Sequence, residues 1–264
     1  MAYQKLIDIG VNLTHPRFDV DRAAVIQRAA DAGIAHMVLT GTTLSESSTA
    51  LTMASSHSGL MTATAGVHPH YASEWVETST NVLKDLLINP HAVAVGETGL
   101  DYCRDFSPRP AQQKAFEAQL SIAAETGCPA FLHQRDAEAD FLAIMAEYRD
   151  QLSAAVLHCF TGERAFLHQC LDLDLHIGIT GWICDERRGA PLCESVSDIP
   201  DNRLMIETDA PFLLPRDLPD KPTDRRNEPA FLSHVLTRVA QLRDQAANQL
   251  AATTVTNSQA FFRL

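Results

Sequence analysis

The sequence predicts a (β/α)8 TIM barrel, and three observations predict it. Eight short apolar runs alternate with amphipathic stretches along almost the whole chain. Its 264 residues match the roughly 250 that eight strand–helix units need. The first run leads into DIGVNLTHP, which lacks the glycine-rich phosphate loop that opens many doubly wound sheets.

In chain order the strands are expected at KLIDIGV, HMVLTG, MTATAGV, AVAVGET, CPAFLH, AAVLHCF, HIGITG and RLMIETDA. These are near-continuous apolar runs, as parallel strands covered on both faces require. Helical spacing, with apolar residues three and four apart, marks DRAAVIQRAADAG after the first strand and ETSTNVLKDLLIN after the third. It recurs in AQQKAFEAQLSIAAETG after the fourth and DAEADFLAIMAEYRDQL after the fifth. Gly33 and Gly127 stand where two of these helices should stop. The proline-rich APFLLPRDLPDKPTDRRNEPA reads as one long loop between the eighth strand and the last helices. With no linker and no repeat beyond the βα unit, residues 1–264 are expected to form a single domain.

Composition narrows the class. At 45% hydrophobic and 20% charged residues, the chain has a globular profile. No segment approaches the roughly eighteen consecutive apolar residues of a spanning helix, so no membrane is expected. MAYQKLIDIGVNL has no signal-peptide pattern, and the six cysteines are scattered without a CxxC pair; reduced thiols in a cytoplasmic protein are expected. A net charge of −12 argues against coating a duplex through a broad basic surface, but not against local contacts to phosphates.

In such a barrel the chemistry gathers where strands end. Reading those ends in order gives Asn12, Gly41, His68, Glu97, His133, His158, Thr180 and Asp209. One histidine closing an apolar run, as in AAVLHCFTG, is usually a satisfied core ring. Strong ligands recurring at corresponding ends of different strands change that reading. Phe131, His133 and Arg135 share one strand face, as do Val156, His158 and Phe160, so both histidines can point inward. Glu97, His133, His158 and Asp209 then form a mixed nitrogen–oxygen set suited to zinc, manganese or magnesium with one position open. Gly96 and Gly99 flank Glu97 and are read as room for cation and substrate. His68 is a ligand or a phosphate donor; His70 has a surface role or a functional one. Cys159 is read as outward packing.

These stretches resemble the TatD family of metal-dependent deoxyribonucleases, within the amidohydrolase-type (metallo-dependent hydrolase) barrels. The resemblance rests on GVHPH (66–70), VGETGLDY (95–102), FLHQRDA (131–137), VLHCFTG (156–162), IETDAPFLLPR (206–216) and RNEP (226–229). DIGVNL, GWICDERRG and RRNEPA place it with the TatD subgroup itself. The resemblance implies a hydrolase, a 3′→5′ exonuclease on single-stranded DNA and RNA serving DNA repair or degradation, with magnesium as usual activator and manganese or zinc as alternatives. It implies Glu97, His133 and His158 as metal ligands, Asp209 as ligand or base, and His68 beside the scissile phosphate, with Asp209, Glu97 and His68 the catalytic set. Many members end the first strand with H-x-H, two ligands of a second metal; Gly10 and Asn12 stand there, so at least one ion is expected and the second site is in doubt. Asp8 should order the site from below, and Glu207 is read as a deeper structural acid.

Arginines just after strand ends, Arg135, Arg187, Arg188 and Arg226 above all, are assigned to substrate phosphate, since guanidinium groups match phosphate oxygens. Tyr71, Trp75, Tyr102, Phe160 and Trp182 are the candidates for stacking on bases. The expected partner is single-stranded nucleic acid, with no obligate protein partner and a monomeric chain. The competing reading is a metal-dependent amidohydrolase or phosphoesterase acting on a small molecule. Of only four lysines (Lys5, Lys84, Lys114, Lys221) none stands at a strand end to bridge two metals.

Overall fold

Each expected run forms a strand in the computed structural model, which describes residues 5–264. The strands are β1 (Leu6–Val11), β2 (Ile34–Leu39), β3 (Met61–Ala65), β4 (Ala92–Asp101), β5 (Ala130–Arg135), β6 (Ala155–Leu157), β7 (His176–Ile179) and β8 (Leu204–Ile206). They lie in one sheet in chain order, and the pairs β1–β2, β3–β4, β4–β5, β5–β6 and β7–β8 are parallel. The helices among the described residues are α1 (Arg22–Asp31), α2 (Leu44–Ser56), α3 (Ser79–Leu87), α4 (Arg109–Thr126), α5 (Glu138–Tyr148), α6 (Arg164–Asp172), α7 (Ala190–Ser195), α8 (Leu232–Leu242) and α9 (Ala247–Phe262). This is the (β/α)8 barrel class that the alternation predicts. No helix of the described residues is long and apolar enough to cross a membrane.

Two compact units make up the described chain, one of residues 40–158 and 169–175, the other of residues 5–39, 159–168 and 176–264. The first holds β3 to β6. Its core includes Met61, Ala63, Ala65, Val95, Phe131 and Leu132 from the strands, with Phe116 of α4 stacked on Phe141 of α5 at 5.7 Å. Helix α4 begins with a proline in its first turn and stops where Gly127 turns left-handed (φ +68°), the backbone state a glycine takes at least cost. In the second unit Leu6, Ile9, Val11, Ile177, Ile179, Met205 and Ile206 are buried with Leu236, Val239 and Phe262 of its closing helices.

Strand ends differ from the sequence reading in ways that matter. Strand β4 runs to Asp101, past the expected AVAVGET, because its last residues pair with β5 (Leu100 with Gln134, Asp101 with Arg135). Strands β6 and β8 are short, so His158 and Asp209 sit just beyond them.

Candidate active site and metal centre

Three imidazoles converge on one carboxylate oxygen. Glu97 Oε1 lies 2.6 Å from His158 Nε2, 2.8 Å from His133 Nδ1 and 3.3 Å from His68 Nε2. All four residues belong to the unit of β3 to β6. With metal–ligand bonds of about 2.0–2.2 Å, adjacent ligand atoms sit roughly 3 Å apart around an octahedral cation and about 3.5 Å apart around a tetrahedral one, so these distances from Glu97 Oε1 are near the closer of the two spacings.

Local chemistry sets each ring. After β3, the side chain of Gln119 grips Val67 from both sides, its Oε1 accepting from Val67 N (2.7 Å) and its Nε2 donating to Val67 O (2.9 Å). His68 N then donates to Thr42 O (2.9 Å), and its Nδ1 accepts from His70 N (3.1 Å), leaving Nε2 toward Glu97. Glu97 sits in an irregularity of β4: Val95 pairs with Ala130 but Thr98 with Leu132, one extra residue on the β4 side. Such bulges re-aim a side chain. His133 follows on β5, and His158 is fixed by its N–H to Leu132 O (3.0 Å) and by stacking on Phe131 at 4.7 Å.

The flanking glycines serve the neighbouring strand, and the expected room for cation and substrate is not their evident purpose. A Cβ on Gly99 would stand 1.9 Å from the His133 carbonyl oxygen, and one on Gly96 2.1 Å from that of Phe131. Both have φ near the positive range only glycine tolerates well (+146° and +143°).

Asp101 is the member of this site that the sequence reading missed. Buried at the end of β4, its Oδ2 lies 2.8 Å from His70 Nε2 and 3.4 Å from His133 Nε2. Helix α4 anchors it, Gln112 Oε1 accepting from Asp101 N at 2.8 Å. Period-two alternation carried past Glu97 to residues 99 and 101 was the available signal. His70 thereby has a buried partner and a ring contact with His68 at 4.2 Å, with 25% of its own side chain exposed.

The charges follow from this packing. Burial works against the Glu97 carboxylate, but His158, His68 and His133 outweigh it and hold the group well below the usual range. Burial likewise opposes a charged His133, yet Asp101 and Glu97 overcome it and raise its pKa. His68 goes the other way: burial, only partly offset by Glu97, lowers it to about 4. Asp101 is held far down, burial being outweighed by His133 and His70.

The donor set fits a divalent cation. The nearest atoms of His68, Glu97 and His133 lie within 4.8 Å of one another, and His133 Nε2 is buried without a well-formed hydrogen bond. A ring that gives its Nδ1 lone pair to a cation must carry its proton on Nε2, facing Asp101.

Asp209 belongs to the other unit, and β1 holds it. Its backbone is left-handed (φ +54°), a state Asp tolerates better than most. Asp209 N donates to Gly10 O (2.9 Å), and Asn12 Nδ2 donates to Asp209 Oδ1 (2.9 Å). Gly10 and Asn12 thus clamp the aspartate. Deeper, Asp8 accepts from Thr208 N and Oγ1 (2.9 and 2.5 Å), and burial raises its carboxyl to about 8. Glu207 is fully buried and accepts from Cys159 N at 2.5 Å, as a structural acid should.

The family described as "TatD related DNase" matches residues 7–263. The chain belongs to this family. It is 52% identical over 259 residues to a protein of Edwardsiella piscicida named "3'-5' ssDNA/RNA exonuclease TatD", covering 98% of this chain and 100% of that one. A protein of Musicola paradisiaca with the same name is 50% identical, covering 98% of each. Among solved structures, a TatD-family hydrolase from Entamoeba histolytica superimposes with a TM-score of 0.89 at 25% identity over 99% of both chains. A TatD homologue from Escherichia coli, YJJV, gives 0.89 at 26% identity over 98% of both.

For this TatD-family chain the arginines divide by exposure. Arg187 and Arg188 leave 57% and 53% of their side chains accessible while pairing with Asp185 at 3.3 and 2.9 Å. Arg135 is 31% exposed and 3.6 Å from Asp136. Arg226 is 9% exposed and committed, with two contacts of 2.7 Å to Asp21 and one to Glu228. Of the aromatic residues, Phe160 and Trp182 are buried and Tyr71 is 41% exposed. Tyr102 carries the Arg109 guanidinium over its ring at 4.2 Å. Phe106, not singled out in the sequence, is 68% exposed with its ring 4.7 Å from that of His70.

Proposed function

We propose that this chain is a metal-dependent nuclease that hydrolyses phosphodiester bonds from the 3′ end of single-stranded DNA and RNA. The observation that carries the proposal is the convergence of His68, His133 and His158 on Glu97 Oε1. The names of the half-identical relatives supply the substrate class and polarity. Glu97, His133 and His158 would hold the cation, magnesium first as the resemblance implies, with zinc better suited to the imidazoles and manganese to the carboxylate. When bound, such a cation offsets charge on the phosphate and lowers the pKa of water.

The remaining steps belong to side chains. Asp209, its Oδ1 steadied by Asn12, takes the proton of the attacking water and is also proposed as a ligand. His68, neutral above a pKa of about 4, stays uncharged near neutral pH; with Nδ1 accepting from His70 N its proton is on Nε2 and can face the scissile phosphate, and sharing the ligand set would require giving up that bond. Asp101 keeps His133 in the tautomer that points Nδ1 inward. Arg187 and Arg188, with Arg135, are proposed for substrate phosphate; the two carboxylates already on Arg226 disfavour it for that task. We read residues 1–264 as one domain, which predicts a single calorimetric unfolding transition.

The test is incubation of strands labelled at either end with purified protein and magnesium, manganese, zinc or chelator. Laddering from the 3′ end, lost with chelator and in Glu97→Ala or His158→Ala, is the expected result. Intact oligonucleotides alongside cleavage of a dipeptide or lactone would sink the proposal.

A further inference from the structure

A second group of metal-ligand type lies in the unit that does not contain Glu97. Cys184 follows β7 in the short 3-10 turn Gly181–Cys184, Asp217 stands in the long loop after β8, and His234 is in the first turn of α8. One ligand atom from each lies within 4.8 Å of the others. His234 Nε2 is 2.6 Å from Asp217 Oδ1, and the Cys184 thiol also bonds to Asp217.

We propose that Cys184, Asp217 and His234 form a binding site for a zinc-class transition-metal ion, separate from the catalytic centre. A sulfur, an imidazole and a carboxylate are the three donor types that borderline cations take. Bonds of about 2.3 Å to sulfur and about 2.0–2.2 Å to nitrogen and oxygen place tetrahedral ligand atoms roughly 3.5 Å apart, so the His234–Asp217 pair, at 2.6 Å, would open by about 1 Å to admit the ion within a group already gathered inside 4.8 Å. The sulfur is enclosed (Cys184 is 4% exposed) while Asp217 and His234 keep 47% and 26% of their side chains accessible, giving an entry path from solvent and a fourth position for water.

The neighbours are compatible. Cys193 Sγ is occupied by Ile183 O (3.3 Å) and by Arg238 (3.9 Å), so it is left outside the set. Arg238 acts on Cys184 as a cation, and Asp217 opposes it. On coordination the thiol proton leaves to water and the thiolate becomes the ligand. The ion would tie the proline-rich loop to the turn after β7 and to α8.

The catalytic ligands Glu97, His133, His158 and His68 contain no sulfur, so cobalt(II) distinguishes the two centres. Protein stripped with chelator and titrated with cobalt should develop a thiolate-to-cobalt charge-transfer absorption. That band should vanish in Cys184→Ala, weaken in His234→Ala and persist in Glu97→Ala and Cys193→Ser. Zinc bound per chain, measured by elemental analysis, should fall by one equivalent in His234→Ala with oligonucleotide cleavage retained. Absence of the band from the unaltered chain, or its survival in Cys184→Ala, would overturn the proposal; so would its loss in Cys193→Ser alone. Loss of cleavage in Glu97→Ala with the band intact bears only on the nuclease.

Discussion

Asp101 offers the sharpest handle on the site, because it touches His133, a proposed ligand, without itself facing Glu97. Its Oδ2 reaches His70 at 2.8 Å and His133 at 3.4 Å, while His133 Nδ1 faces Glu97 at 2.8 Å. Replacing Asp101 by Asn keeps the shape but removes the charge that favours a proton on His133 Nε2, so the ring loses its fixed tautomer. Losing such a partner of a liganding histidine typically weakens metal binding about 10–100-fold, or ~1.4–2.7 kcal/mol. The contact at 3.4 Å is long, which argues for the lower end, about tenfold. Calorimetric titration of chelator-stripped protein with manganese or zinc measures it directly. Cleavage by Asp101→Asn should recover at saturating metal, since the ligands themselves remain. An unchanged dissociation constant, or an activity loss that excess metal does not relieve, would refute the reasoning.

Other perturbations separate structure from chemistry. Gly99→Ala drives a methyl to 1.9 Å from the His133 carbonyl oxygen and should cost about 2–4 kcal/mol, or roughly 5–10 °C in melting temperature; a wild-type melting curve would contradict the close approach of β4 and β5. Arg226→Gln leaves Asp21 and Glu228 short of a buried partner and should destabilise by about 3 kcal/mol with KM for oligonucleotide unchanged, whereas Arg187→Ala with Arg188→Ala should raise KM and lower the melting temperature less, because Arg216 stays 3.6 Å from the buried Asp185; the reverse assignment would show in the same two measurements. Asp8 has a folded pKa raised from 3.8 to about 8 by burial, so the folded state holds the extra proton. Its stabilising contribution is full below the unfolded value and is lost as pH rises through about 8. Denaturation midpoints should therefore decline less steeply toward alkaline pH in Asp8→Asn than in the unaltered chain; parallel declines would exclude Asp8 as the source.

The fold was legible because parallel strands buried on both faces need near-continuous apolar runs, and helices laid over them need apolar residues three and four apart. The convergence of Glu97, His133 and His158 was legible for a related reason: chemistry-bearing residues at equivalent ends of separate strands repeat, and repetition survives in one dimension. What was lost depends on partners distant in the chain. Gln112 and Gln119 look like polar positions of an amphipathic helix, yet both are buried, holding the backbones of Asp101 and Val67. Arg226 reads as a phosphate ligand by its place after a strand end, but its partner Asp21 is 205 residues away. Gly96 and Gly99 were seen correctly as needing to be small; the reason, the carbonyls of β5, belongs to strand pairing that a single sequence does not display. The Cys184, Asp217 and His234 group obeys no spacing rule, since a turn, a loop and a helix each supply one member.

Anomalous diffraction from crystals of this chain grown with manganese addresses the cation directly. A peak within bonding reach of Glu97, His133 Nδ1 and His158 Nε2, with those nitrogens turned from the carboxylate oxygen to the ion, is the outcome that the convergence on Glu97 predicts. Manganese bound elsewhere, with the three imidazoles still gathered on Glu97 Oε1, would contradict it.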